Sequence, residues 1–257
     1  MPKPRSDLAA TFRFDGVADA YRARPPYPRA AIELLTALAG GVGARVLDLG
    51  AGEGALARPL ASRVAHVDAI EASAAMVRVG QTMPGGDAAS LVWHVEQAEH
   101  LSPAGPFDLV LAGAAMHWFD LDTVCHRLSQ VTLEPSRLAL CDRSARHPGL
   151  GGATDVIGRY SRAPEYDPDY DVADDLSERG LWKQRGSHHT QPVVFRQSPQ
   201  DYLLSLRSTS TLARELMSES ENDAFDEEIL RLAEPLADAD GVINFAVTST
   251  IVWGELA

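Results

Sequence analysis

Along the chain, short apolar runs closed by an acid or a glycine alternate with longer stretches whose apolar positions follow helical spacing. Runs of the first kind predict strands at 45–49, 66–71, 91–96, 107–112 and 137–142. From Arg29 to Leu38 the spacing is helical, and Gly40, Gly41 and Gly43 stop that helix before the first strand. The intervals between strands are long enough for crossover helices. The expected fold class is therefore α/β, a doubly wound, mostly parallel sheet with flanking helices.

The pattern changes at both ends. Phe12 to Pro28 carries aromatics among turn residues and ends Arg24-Pro25-Pro26-Tyr27-Pro28, which predicts an ordered lid arm over residues 1–28. Residues 29–147 form the predicted core. Between Pro148 and Pro192 the apolar pattern decays into an acidic run, Glu165, Asp167, Asp169, Asp171, Asp174 and Asp175, expected as a solvated loop or cap. Helical stretches follow at about 199–217 and 222–237, and Val242 to Val252 alternates as a strand. Residues 148–240 are thus expected to form a C-terminal cap or insertion with core helices, and 241–257 a terminal core strand.

The most informative turn follows the first strand, where Val46-Leu47-Asp48-Leu49 opens into Gly50, Gly52 and Gly54. A backbone that turns sharply into a helix and lies flat against a ligand cannot carry a Cβ at each step, so this loop is expected to hold a cofactor in a Rossmann-like arrangement. His66 to Glu71 is a second apolar run ending on an acid, which places Glu71 to accept both hydroxyls of a ribose. Glu71 could equally serve the start of the next helix near Ser73. Gly50, Gly52 and Ala55 also satisfy the looser dinucleotide pattern G-x-G-x-x-[GA], so glycine spacing alone leaves a dinucleotide open.

Composition narrows the ligand. With 257 residues, 45% of them hydrophobic, the chain can bury one full core without splitting in two. A net charge of -13 argues against nucleic acid as partner and favours a small neutral or cationic ligand. Lys3 and Lys183 are the only lysines, which removes the Tyr-x-x-x-Lys pair that a short-chain nicotinamide enzyme would use. Cys125 and Cys141 lie outside any C-x-x-C or His-rich spacing, so reduced thiols and no structural metal are expected. With neither an apolar leader nor a spanning window, the expectation is a cytoplasmic protein without a membrane partner.

Asp48 bears on the choice of cofactor. It lies two residues before Gly50, close to where a diphosphate would sit, and two like charges in a partly buried site repel. S-adenosylmethionine carries no phosphate, and its sulfonium and ammonium are both positive, so Asp48 favours that cofactor.

Val46 to Gly54, the acidic strand end at Glu71, and Gln97-Ala98-Glu99 resemble successive motifs of class I S-adenosylmethionine-dependent methyltransferases, over about Phe14 to Asp142. A closer likeness is to the small-molecule branch of trans-aconitate methyltransferase-like proteins, through Phe14-Asp15, Tyr21, Arg24-Pro25, Tyr27-Pro28 and His117-Trp118-Phe119. The resemblance implies methyl transfer to O, N, S or C of a small molecule by a monomer or homodimer. It implies that Gly50, Ala51 and Gly52 contact the methionyl part, Glu71 the ribose, Ala72 and Met76 the adenine surroundings, and Ala98 the adenine edge. Tyr21 and Arg24 would close over the methionine carboxylate. Gly113 to Trp118 would face the methyl group, with Tyr27, Met116, His117 and Trp118 as substrate residues. The chain departs from the pattern twice: related sequences often have a Gln before His-Trp where this one has Gly113-Ala114-Ala115-Met116, and an Asp where it has Gln97, whose amide oxygen can still meet the adenine amine.

Several positions admit two readings. His117 is either a general base or a wall residue beside Trp118 and Phe119. The acidic run either receives a cationic substrate or is a solvated face. His188 and His189 lie in a polar stretch before a strand and are expected at the surface. Because fold does not fix reaction, a cyclase or lyase that binds the cofactor without methyl transfer, or a non-catalytic scaffold, also fits the pattern.

Overall fold

The computed structural model describes residues 10–135, 137–162 and 170–257. Residues 1–9 of the expected arm, and Glu165, Asp167 and Asp169 of the acidic run, lie outside the described residues. The strands are β1 (Arg45–Leu49), β2 (His66–Glu71), β3 (Leu91–Val95), β4 (Leu109–Gly113), β5 (Arg137–Arg146), β6 (Trp182–His189), β7 (Val193–Gln197) and β8 (Ile243–Leu256). The α-helices are α1 (Asp15–Ala20), α2 (Arg29–Ala39), α3 (Ala57–Ala61), α4 (Ala74–Thr82), α5 (Leu121–Val131), α6 (Ala153–Tyr160), α7 (Val172–Glu178), α8 (Pro199–Arg207) and α9 (Glu219–Ala233).

The sheet runs β3-β2-β1-β4-β5-β8-β6, with β7 also paired to β8. From β3 to β5 every pairing is parallel, whereas β8 is antiparallel to β5 and to both β6 and β7. The order reverses between β1 and β4, which opens a crevice beyond their carboxyl ends. Alternate residues of the central strands feed two cores. Val46, Val67, Leu109 and Leu111 pack with Ile32 and Leu35 of α2, and Leu47, Ile70, Val110 and Leu138 pack with Val124 and Leu128 of α5. A third core joins α6, α8 and α9 to the first half of β8 through Val156, Leu203, Phe225, Ile229 and Phe245.

The cap is not one contiguous block. Ala173 and Leu176 of α7 and Trp182 of β6 belong to the second core of the central sheet, so this part of the expected 148–240 cap is core structure. The polar sequence from Lys183 to His189 hid β6 because this strand lies at an edge, with Trp182 as its buried residue. A register shift between Gln184 and Gly186 bends it, and a Cβ on Gly186 would meet the Trp253 ring at 2.4 Å. His188 and His189 are within this strand, not before it, and both are exposed. In the acidic run, Asp171 caps α7 by accepting from the Ala173 amide at 2.7 Å.

The expected helix over 199–217 ends at Arg207. Ser208 and Thr209 donate their hydroxyls to the carbonyls of Ser205 and Leu206, both at 2.6 Å, and compete with further helix. Arg207 is buried. It meets Asp226 at 2.7 Å and the Asn222 carbonyl at 3.0 Å, which ties α8 to α9. α9 begins at Glu219, not near 222, because Ser218 and Glu221 form a capping box.

Candidate active site

The glycine loop is fastened from the neighbouring strand. Ala51 donates its amide to the Ile70 carbonyl at 2.9 Å, and Gly52 donates to Glu71 Oε2 at 2.9 Å. The other carboxylate oxygen of Glu71 accepts from the Ser73 amide at 2.7 Å. Ser73 in turn caps α4 by accepting from the Met76 amide. The loop glycine at Gly50 is held at φ +61°, where an added Cβ would lie 2.6 Å from that of Ala115. Burial raises the pKa of Glu71 despite the lowering effect of the Ser73 and Gly52 amides.

Asp48 stands at the end of β1 with 1% of its surface exposed, and neither carboxylate oxygen has a hydrogen-bond partner among the described residues. Burial pushes its pKa well above the usual carboxylate value, against a lowering contribution from the Ala57 amide, while Glu53 and Glu71 push it further up. An orphaned buried carboxylate is costly, and a cationic group in the cavity would relieve it.

Asp48, Glu71 and the glycine loop line one cavity of about 810 Å3. This is ample for a cofactor and a small acceptor together, since small-molecule sites span about 300–1,000 Å3. Ala72, Met76, Gln97 and Ala98 line the cavity on the β2 and β3 side. Gly113, Ala114, Ala115 and Trp118 line it after β4. Ala114 has φ +50°, a conformation that costs a non-glycine residue free energy and that the hydrogen bond its amide donates to the Cys141 carbonyl, at 2.9 Å, helps to hold.

The arm covers the cavity. Phe12 meets Tyr21 edge-on at 6.1 Å and Trp118 edge-on at 5.8 Å, and its carbonyl accepts from the Ser73 hydroxyl at 2.6 Å. Asp15 of α1 pairs with Arg78 of α4 at 2.8 Å. Tyr27 lines the cavity, donates to the Cys141 carbonyl at 3.4 Å, and burial raises its phenol pKa.

Three of the expected site residues are placed differently from the rest. Arg24 lines the cavity, but it lies over the Tyr21 ring and directs Nε at 2.6 Å and Nη2 at 3.3 Å to Ser208. Its fork is therefore engaged with the cap instead of standing open for a carboxylate. Met116 is 2% exposed and packs in the second core, away from the cavity lining, because a short 3-10 turn over Met116–Trp118 directs it inward. His117, on the same turn, is exposed beside Trp118 at 4.7 Å between ring centres and is not part of the lining, so the general-base reading loses its geometric support.

The cavity also contains residues that sequence reasoning passed over. Glu53, inside the glycine motif itself, is buried and pairs with Arg58 at 3.9 Å. Arg143 from β5, Gln197 from β7, Tyr202 from α8 and Phe245 from β8 complete the far wall. No local motif marks them, since they converge only when β8 brings β5 and β7 together. Among the described residues, no group of three or more His, Cys, Asp or Glu side chains could hold a metal, and no helix is long and apolar enough to cross a membrane.

Residues 46–171 match the family model described as a methyltransferase domain. A structure of a candidate type II methyltransferase from Anaeromyxobacter dehalogenans is similar over 90% of this chain and 96% of that one, at 24% identity and a TM-score of 0.61. A candidate methyltransferase from Bacillus halodurans is similar over 88% of this chain and 98% of that one, at 16% identity and a TM-score of 0.53. A phosphoethanolamine N-methyltransferase of Haemonchus contortus, solved with phosphomonomethylethanolamine and S-adenosylhomocysteine, covers 99% of this chain and 60% of that one at 16% identity and a TM-score of 0.53. No curated protein matches the chain at a significant level. The domain match spans the glycine loop, Glu71 and the residues after β4, so residues 46–171 carry the pattern of a methyltransferase domain, and the solved neighbours share the fold.

Proposed function

We propose that the enzyme moves the methyl group of S-adenosylmethionine to O, N, S or C of a small molecule held between the glycine loop and the cap. The observation that carries this reading is the unpartnered, buried carboxylate of Asp48 above the glycine loop, which suits the cofactor's cationic methionine end and disfavours a diphosphate. Gly50, Ala51 and Gly52 would meet the methionyl part, and Glu71, which keeps lone pairs beyond its two amide bonds, the ribose. Ala72, Met76, Gln97 and Ala98 would enclose the adenine, and Tyr21 would close the arm over the methionine end.

When bound, S-adenosylmethionine supplies an electrophilic methyl on a good leaving group. The chain's own task is then to align the acceptor and exclude water. Gly113, with Tyr27 and Trp118, forms the wall nearest the acceptor. The arm over residues 10–28 acts as the lid, and the cap helices set acceptor specificity. The finer likeness to trans-aconitate methyltransferase-like proteins is supported by the arm motif and Trp118, both of which border the cavity. The reading includes a cytoplasmic monomer or homodimer without nucleic-acid partner, the last supported by the net charge of -13.

Calorimetric titration with S-adenosylmethionine and S-adenosylhomocysteine, with NAD as control, tests the cofactor. Micromolar binding of the sulfur compounds alone is expected, and silence toward them would overturn the reading. Incubation with S-adenosylmethionine and a panel of acceptors, read by product mass and S-adenosylhomocysteine formation, then tests methyl transfer.

A further inference from the structure

Charge is divided across the cavity. Its lining acids, Asp48, Glu53, Glu71, Glu96, Glu99 and Asp120, all precede β5 in sequence. From Arg143 onward, among the described residues, the lining contains no acid. In a chain of net charge -13 this half is an exception that calls for a physical reason.

Two polar groups on this side lack partners. The Arg143 guanidinium lies 4.9 Å over the Tyr27 ring and has no hydrogen bond or ion pair among the described residues. Burial lowers its pKa, which marks the cost of a cation held there without an ion pair, although Tyr27 and Glu53 act in the opposite sense. Gln197 is 6% exposed, and its Nε2 is buried without a hydrogen-bond partner among the described residues. Around it the wall is apolar and aromatic. Tyr202 stacks on Phe245 at 5.2 Å, and Ile157 and Leu206 line the same region.

The strand order sets this half beside the cofactor's side. Asp48 and Glu71 lie at the ends of β1 and β2 and Ala98 follows β3, whereas Arg143 lies on β5 across β4, still within electrostatic reach of Glu53 and Tyr21. Arg143 is in register with Ser249 of β8 and Gln197 with Ile243 of the same strand. Six residues of strand span about 20 Å, so the two donors face an extended compartment from different ends.

We propose that this compartment binds an anionic methyl acceptor with a planar, largely apolar body, its acid group held by Arg143 and an oxygen at its far end by Gln197. The inference rests on the methyl-transfer reading of the same cavity and specifies the acceptor's chemistry. A guanidinium fork fits a carboxylate bidentately, and Gln197 Nε2 supplies a neutral donor for a carbonyl, hydroxyl or ether oxygen. The stacked aromatic wall takes the ring system between them.

The test uses the full chain and compares 2-naphthoate with 2-naphthamide and citrate, titrated calorimetrically with and without saturating S-adenosylhomocysteine. The naphthoate should bind at least tenfold more tightly than its neutral amide and more tightly than citrate. Arg143→Gln should abolish the acid-over-amide preference and leave S-adenosylhomocysteine affinity within about twofold. Gln197→Leu should keep that preference while weakening 6-methoxy-2-naphthoate relative to 2-naphthoate. Equal binding of acid and amide, preference for citrate, or an unchanged preference in Arg143→Gln would overturn the proposal. So would loss of S-adenosylhomocysteine affinity in a folded Arg143→Gln protein, because Arg143 would then serve the cofactor's own carboxylate. Should Arg143→Gln fail to fold, the wild-type acid-to-amide ratio and the Gln197→Leu protein decide. Failure of S-adenosylhomocysteine to bind the wild type would instead strike the methyl-transfer reading, whatever the naphthoate does.

Discussion

Glu71 and Gly52 are joined across adjacent strands, the carboxylate of the first accepting the amide of the second at 2.9 Å. Because the other oxygen of Glu71 accepts from Ser73, one side chain fixes both the glycine loop and the start of α4. The two roles considered for this acid in the sequence, ribose contact and helix start, are therefore compatible: the amides orient the carboxylate and leave lone pairs toward the cavity.

Glu71→Ala should weaken S-adenosylhomocysteine binding by tenfold or more and also lower the stability of the cofactor-free protein by about 1–3 kcal/mol, because a part-buried and a buried amide lose their acceptor. Urea unfolding of both proteins without cofactor checks the second part. A role in ribose contact alone would leave that transition where it was.

Gly50 couples the loop to the residues after β4. Its φ of +61° and the 2.6 Å approach of an added Cβ to Ala115 both oppose a side chain. Gly50→Ala should cost about 1–3 kcal/mol of stability and displace the 113–119 segment. Adding Ala115→Gly should recover the steric part only. Full recovery in the double variant would show that backbone strain at Gly50 contributes nothing.

Asp48 should make stability depend on pH in an unusual direction. Its folded pKa lies well above the unfolded value near 3.8, so above about pH 4 the folded state retains a proton that the unfolded state has released. The unfolding free energy contributed by this group therefore falls as pH rises from about 4 through its folded pKa, and Glu71 adds the same sign. Asp48→Asn should flatten that slope, as urea melts across the interval would record. Binding of a cofactor bearing an ammonium should favour the ionised carboxylate and release a proton in the wild type, but not at this position in Asp48→Asn. Equal proton release by both proteins, measured by calorimetry in buffers of different ionisation enthalpy, would remove Asp48 from the cofactor's surroundings.

The parallel half of the fold was legible because its central strands are buried on both faces and run into a glycine or an acid, as Arg45–Leu49 does at Gly50 and His66–Glu71 at its own last residue. At the antiparallel edge β8 was legible from the alternation of Val242 to Val252, whereas β6 was not, because it is polar and bent by a bulge. The start of α9 was readable from Ser218-Glu219-Ser220-Glu221, a capping box that the apolar spacing alone does not show. In the site, Gly50, Asp48 and Glu71 form a local motif. Arg143 and Gln197 do not, since only the pairing of β5 and β7 with β8 brings them to one cavity. Met116 and His117 misled because they sit on a three-residue turn whose direction depends on tertiary packing.

The arm is tied down at points that can be cut separately. Arg24 gives it two hydrogen bonds to Ser208 at the end of α8, Phe12 packs edge-on to Trp118, and Asp15 pairs with Arg78. The Asp15–Arg78 pair is largely exposed and should matter little, so Arg24 shares the polar part of the closure with the Phe12 carbonyl that accepts from Ser73. Charged hydrogen bonds contribute about 1.5–3 kcal/mol when partly buried, which corresponds to a roughly tenfold or larger rise in the open population after Arg24→Ala. Amide hydrogen exchange over residues 15–23 should accelerate accordingly, and S-adenosylhomocysteine should dissociate faster, while exchange in β1 and β4 stays unchanged. Ser208→Ala should have the smaller effect, because the backbone carbonyl of that residue still accepts from Arg24 Nη2. Unchanged exchange in Arg24→Ala would mean that the Phe12 and Tyr21 packing, with the Ser73 bond to the Phe12 carbonyl, holds the arm closed.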